Sequence, residues 1–193
     1  MCIFLIQVKK MSMKYLLMTA CIAVGTFFSN AQNLPVNEKT GKITYMEVLK
    51  TEGVSSEDVH EEAKKWADAH KGWELIEEVD GEKLVYEVDM PIFYPSADGK
   101  GQSEGVVSYT YSIFTKDGRY RYIVTDFEHA GKERGHDGGK LENVSPACSK
   151  SKISGRGWVS IKNKTNADIS KLNNDLKQTI KEFKNDPAND DDW

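Results

Sequence analysis

The chain has 193 residues, with 26 Lys and Arg against 30 Asp and Glu and a formal charge of −4. An acidic protein of this size repels polyphosphates, which argues against nucleic acid as a partner. Its three cysteines, Cys2, Cys21 and Cys148, leave no intramolecular disulfide once the first two are removed.

Residues 1–31 contain no Asp or Glu, and their charges are Lys9, Lys10 and Lys14. An apolar run from Tyr15 to Phe28 follows, then Ser29-Asn30-Ala31. This is the basic, apolar and small-x-small order of a secretory signal peptide. The run is shorter than the roughly 20 apolar residues that span a bilayer. Met13-Lys14-Tyr15-Leu16-Leu17 begins like an ordinary leader, so Met11 or Met13 is the expected working start. Cleavage after Ala31 leaves 23 basic against 30 acidic residues, a formal charge of −7. One alternative acylates Cys21 in Met18-Thr19-Ala20-Cys21. Against it, Met18 replaces the usual Leu and the apolar run continues past Cys21. The other alternative is an uncleaved anchor. The expected product is periplasmic or secreted, without a transmembrane segment. It comprises one α+β domain over residues 32–185 and an acidic tail over residues 186–193.

Ile43 to Val48 is rich in strand formers and reads as a strand, with Ile43, Tyr45 and Glu47 on one face. Ser55 and Asp58 form an Asp variant of the capping box, and Val54 and Val59 are placed as a hydrophobic staple. Val59, Ala63, Trp66 and Ala67 then make one helical stripe that ends near His70 to Gly72. Trp73 to Glu78 and Leu84 to Met90 read as a hairpin around Asp80-Gly81, pairing Trp73 with Val88 and Leu75 with Tyr86. Its second face is mixed, with Glu74, Ile76, Glu78, Val85 and Glu87.

Pro91 to Glu104, with two Pro and two Gly, is expected to be a loop. Val107, Tyr109, Tyr111 and Ile113 then alternate with hydroxyl residues. Asp117-Gly118 turns the chain into Tyr120 to Phe127, pairing Ile113 with Tyr122 and Tyr111 with Val124. Both Asp-Gly turns are expected to supply two positive-φ residues. Residues 128–157 show no periodicity and are expected to form a long loop. Trp158 to Ile161 reads as a short strand. Ile169, Leu172, Leu176, Ile180 and Phe183 define a last helix over about Asp168 to Phe183, with Thr165 and Asp168 together forming its cap. Two amphipathic helices need one apolar sheet face to cover. Both are therefore placed on the Tyr109/Tyr111/Ile113 side, leaving the opposite face open.

Gly41-Lys42-Ile43-Thr44-Tyr45, Glu52-Gly53-Val54-Ser55 with the Trp66 helix, Tyr109-Thr110-Tyr111-Ser112-Ile113 and Lys116-Asp117-Gly118-Arg119-Tyr120-Arg121-Tyr122 resemble a secreted Bacteroidota family, the domain of unknown function numbered 4468. The resemblance covers about residues 38–129. It implies a TATA-binding-protein-like fold of strand, helix, four antiparallel strands and helix, with a bacterial envelope address. It implies no activity and no catalytic residues, and the fold name does not imply DNA binding.

Motifs for chemistry are sparse. His60-Glu61-Glu62-Ala63-Lys64 has Lys64 where a zincin needs its second His, and reads as a solvated helix face. Gly99 to Gly105 has the wrong glycine spacing for a dinucleotide loop. Asp190-Asp191-Asp192 lacks the glycine and distal Glu of a calcium loop. No Gly-x-Ser-x-Gly elbow occurs. Glu128, His129, Glu133, His136, Asp137 and Cys148 are metal-ligand types in one segment, so His129 and His136 are the candidate metal residues. Arg121, Ile123, Thr125, Thr110 and Ser112 share the open face and are the candidate ligand-binding residues. Arg119 and Arg121 could serve an anionic or sugar ligand there. Alternatively, their stems simply lie across the sheet. No cofactor is expected. The leading expectation is a non-enzymatic binding module of the envelope, for a small molecule or another envelope protein. The alternatives are a metal-dependent enzyme using His129 and His136, and a self-associating structural protein.

Overall fold

The structure is a computed structural model that describes residues 34–147 and 151–185. The leader with Cys21, Cys148 and the acidic tail lie outside the described residues. The elements are β1 (Tyr45–Lys50), α1 (Ser56–Asp68), β2 (Trp73–Val79), β3 (Lys83–Pro95), β4 (Gln102–Lys116), β5 (Arg119–Gly131), β6 (Gly139–Lys140) and α2 (Gly155–Lys184). The sheet is antiparallel in the order β1-β5-β4-β3-β2, and β6 pairs with the far end of β5. This is the α+β arrangement expected above, with β6 added.

Helix α1 starts as its sequence dictates. The Ser55 hydroxyl oxygen accepts the Asp58 N–H at 3.1 Å, and Glu57 and Asp58 occupy the positive end of the helix. Asp117 of the β4–β5 turn accepts the Ser56 N–H at 3.2 Å, tying helix start to hairpin end. Val59, Ala63, Trp66 and Ala67 are buried against the sheet. His60 is buried too, although its motif reads as solvated. Its Nε2 lies 3.2 Å from Glu78 Oε1, and Lys64 joins the same carboxylate at 2.7 Å.

Glu78 reaches α1 because β2 carries a bulge. Val79 pairs with Lys83 and Glu77 with Val85, but Leu75 pairs with Tyr86 and Trp73 with Val88. A three-residue loop and one bulge cancel, so the outer pairs match the two-residue reading while Glu78 changes face. The Asp-Gly turns also differ from expectation. Gly81 and Gly118 have φ of 67° and 71°, while Asp80 and Asp117 do not take positive φ. Each turn therefore uses one left-handed residue, as type II turns do, rather than two.

Strand β3 continues through Pro91 to Pro95, and β4 begins at Gln102, so only residues 96–101 form a loop. Prolines are tolerated because β2 ends its pairing at Trp73–Val88, leaving this part of β3 an edge. The Asp89 N–H donates to the Gly72 carbonyl, toward the β2 side. Alternate residues Pro91 and Pro95 therefore lack the donors that the open edge would otherwise present, which blunts it against further strand addition.

Helix α2 is far longer than the sequence reading. Its cap is Ser154, whose hydroxyl oxygen accepts the Gly157 N–H at 3.1 Å, not Thr165 or Asp168. Trp158, Ile161, Thr165, Ile169, Asn173, Leu176 and Ile180 are buried along one stripe, and Val159 points out. The Trp158 to Ile161 stretch is thus the first turns of a helix and not a strand. Both helices cover the tyrosine side. The Tyr111 hydroxyl donates to Asn173 Oδ1 at 3.0 Å and the Tyr45 hydroxyl to Asn166 Oδ1 at 2.6 Å. Trp66 Nε1 donates to Asp175 at 2.9 Å, locking α1 to α2.

Candidate functional site

The second sheet face carries no helix among the described residues. The register places its residues in rows. Met46, Ile123, Ser112 and Val85 lie side by side across β1, β5, β4 and β3. The next row toward the hairpin end is Val48, Arg121, Phe114 and Lys83. Thr125 and Thr110 pair one row the other way, beside Glu87. The five candidate ligand residues Arg121, Ile123, Thr125, Thr110 and Ser112 therefore form one contiguous patch. Exposed apolar residues flank it, with Met46 and Val48 each at 57 %.

Arg121 lies over the Phe114 ring with its guanidinium carbon 4.6 Å from the centroid, and Lys83 approaches the same ring at 5.9 Å. A groove of about 670 Å³ opens at the hairpin end of the sheet, lined from the open face by Val48, Phe114, Lys116, Arg119 and Arg121, with Glu82 and Asp117, and from the α1 side by Ser56, Thr115 and Tyr120. Among the described residues, no carboxylate lies within 4.0 Å of Lys116, Arg119 or Arg121. Lys83 is different, since it pairs with Glu77 at 2.7 Å. Thr125 is partly committed, donating its hydroxyl to the Ile43 carbonyl at 3.1 Å.

Phe127 does not belong to this face. Ser108 pairs with Glu128, yet Thr110 pairs with Thr125, so Asp126 and Phe127 together oppose Tyr109. Asp126 has φ of 62° and its carboxylate pairs with Lys42. The extra residue inverts the alternation of β5, sending Phe127 and His129 to the buried side and Glu128 to the open one.

The same inversion splits the candidate metal cluster. His129 sits in β5, not in a loop, and is 1 % exposed. Its Nδ1 accepts the Gly138 N–H at 3.2 Å, which fixes the proton on Nε2, and Nε2 is buried without a partner. Burial pushes the imidazole down to about 4, an effect added to by His136 and opposed by Asp137. His136 Nδ1 lies 3.7 Å from Glu133 and is also unpartnered. Asp137 is engaged by the Gly131 N–H at 3.1 Å. Among the described residues no group of three His, Cys, Asp or Glu side chains could hold a metal ion. Among the described residues that follow, β6 pairs with β5, and Leu141 and Ile153 join the core.

No helix of the described residues is long and apolar enough to cross a membrane. No family model matches the chain, and no curated protein matches it. Two solved structures do. One is a TBP-like protein from Parabacteroides distasonis ATCC 8503, 16 % identical, with a TM-score of 0.58 over 76 % of this chain and 97 % of that one. The other is a DUF4468 family protein from Bacteroides ovatus ATCC 8483, 15 % identical, with a TM-score of 0.50 over 75 % of this chain and 91 % of that one. At these identities the likeness is one of fold, and the chain has the TBP-like fold of the Parabacteroides protein, as its tyrosine hairpin and its order of elements imply.

Proposed function

We propose that this protein is a non-enzymatic binding module of the bacterial envelope or its exterior, and that its open sheet face takes an anionic ligand, with an acidic saccharide as the best chemical match. The observation that carries this reading is the groove holding Lys116, Arg119 and Arg121 without a carboxylate within 4.0 Å among the described residues. In an acidic protein, cations gathered on an open face are more useful to a partner than to the fold. Arg121 supplies a planar, bidentate donor set suited to a carboxylate or sulfate. The Phe114 ring lies 4.6 Å beneath the Arg121 guanidinium carbon and supports it over the sheet. Ser112 and Thr110 add hydroxyls along the next rows, and Ile123 and Met46 offer apolar surface to the carbon face of a sugar ring.

The experiment is amide NMR of the full chain titrated with a tetragalacturonate, and in parallel with neutral maltotetraose. The reading expects shifts at residues 110–116 and 119–125 with the acidic sugar and none with the neutral one. Arg121→Ser should weaken binding by about tenfold, the value of one charge-assisted contact of about 1.5 kcal/mol. Equal response to the neutral sugar, or shifts confined to other residues, would refute it. Light scattering on the same samples separates a monomeric binder from a self-associating protein.

A further inference from the structure

A second depression lies on the opposite side of the sheet, where α2 passes the start of β2. This cleft of about 440 Å³ is lined by His70, Trp73, Tyr109, Asp168, Leu172 and Asp175. Its size is within the roughly 300–1,000 Å³ of small-molecule sites. Trp73 is half-buried and braced at ring-centroid distances of 5.0 to 5.4 Å by Trp66, His70, Tyr86 and Tyr111.

The polar lining is rich in acceptors. Asp168 and Asp175 stand two turns apart on one face of α2, with Leu172 between them. The Trp66 N–H at 2.9 Å orients the Asp175 carboxylate, while Asp168 has Lys164 at 3.4 Å on its outer side. His70 Nδ1 lies 2.8 Å from the Trp66 carbonyl, which only accepts, so Nδ1 carries a proton and donates, leaving Nε2 on the other side of the ring. Tyr109 is 4 % exposed and its hydroxyl has no hydrogen-bond partner among the described residues. Burial, and after it the Asp168 charge, raise its phenol above the ordinary value. The hydroxyl oxygen reaches the cleft, where it is free to accept from an incoming donor.

We infer that this cleft binds a small organic amine, an ammonium carried on an aromatic or aliphatic stem. An ammonium has three donors and no acceptor, which complements Asp168, Asp175 and the Tyr109 oxygen. The Trp73 ring adds an attractive face for the cation, and Leu172, Val88 and Met90 receive the stem. Lys71 and Lys171 are exposed at the rim without a carboxylate within 4.0 Å among the described residues. They select against a dication and favour a ligand with a single ammonium.

The test is a titration of the full chain with 2-phenylethylamine, read by tryptophan fluorescence and amide NMR, alongside uncharged 2-phenylethanol and anionic phenylacetate. Saturable binding of the amine is expected, with shifts at residues 70–73, 88–90 and 168–175 and at least tenfold weaker binding of the other two. Asp168→Asn should weaken the amine about three- to tenfold, as for a partly exposed charge pair. Lys171→Glu, on the exposed rim, should tighten it by a similar factor. Equal binding of 2-phenylethanol, indifference to both substitutions, or no binding at all would overturn the inference. Shifts at Arg121 and its neighbours instead would also overturn it, without touching the proposal for the open face.

Discussion

Asp126, at φ 62°, and Phe127 share a single partner, Tyr109, across the β4–β5 ladder. That one extra residue decides which side of the sheet each later β5 side chain occupies. A left-handed conformation at a non-glycine residue costs about 1 kcal/mol. Asp tolerates it better than most, and Lys42 sits beside its carboxylate. Asp126→Gly should therefore leave stability within about 1 kcal/mol, since relief of strain offsets an exposed ion pair and extra chain entropy. Asp126→Val, β-branched in the same conformation, should cost about 2 kcal/mol or more. Urea unfolding of the two variants checks the contrast. Phe127→Ala in the same assay should cost about 3–5 kcal/mol, the value of a large buried aromatic.

The pH dependence of stability should bear the mark of His129. Its folded value is down to about 4 because burial disfavours the cation, against about 6.5 in the unfolded chain. The unfolded state then binds more protons below about 6.5. The stability contributed by the neutral ring is present in full above that pH and is lost as the pH falls from about 6.5 toward 4. The loss is of order 1–3 kcal/mol. Denaturation curves at pH 7 and pH 4.5 should show a smaller drop for His129→Gln than for the native protein. An equal drop would remove His129 as a cause.

Gly105 faces His129 across the ladder's end. A Cβ there would collide with the imidazole and lie 2.8 Å from the Ala130 carbonyl oxygen. Gly105→Ala should destabilise by about 1–3 kcal/mol, the usual cost of overpacking. Removing the ring as well, in Gly105→Ala with His129→Ala, should not restore stability, because the Ala130 oxygen is backbone. Thermal melts of the single and double variants decide this.

The Tyr111 hydroxyl donates to Asn173 in the buried seam between β4 and α2. Tyr111→Phe leaves that amide oxygen without its donor and should cost about 1–3 kcal/mol. Tyr111→Phe combined with Asn173→Leu should recover part of the loss, since both polar partners are then gone. A double-mutant cycle measures the coupling.

Much of this architecture is legible in the residues alone, and the exceptions share one cause. Alternation of Val107, Tyr109, Tyr111 and Ile113, with an Asp-Gly turn, is enough to fix the register of the central hairpin. The Ser55 cap and the Trp66 stripe are equally local signals. What local signals miss is set by distant contacts. Phe127 and Glu78 change face through bulges, which periodicity of two cannot register. Pro91 and Pro95 enter a strand because β2 happens to stop beside them. The first half of α2 hides behind Gly155, Gly157 and buried Thr165, which blur the apolar stripe. The patch around Arg121 was readable because it lies before the bulge. The cleft at Trp73 and Asp168 was not, because β2 and α2 meet there only in the fold.

The most direct measurement compares thiol labelling of Ile123→Cys and Phe127→Cys, each in a chain with Cys2, Cys21 and Cys148 changed to Ser. The two positions are four residues apart on β5 and would share a face in an uninterrupted strand. Ile123 lies on the open face beside Met46, whereas Phe127 is 1 % exposed beneath the helices. Rapid maleimide labelling at position 123, with labelling at 127 limited to the rate of unfolding, is the result this account predicts. Fast labelling at both positions, or protection at 123 and not at 127, would contradict it.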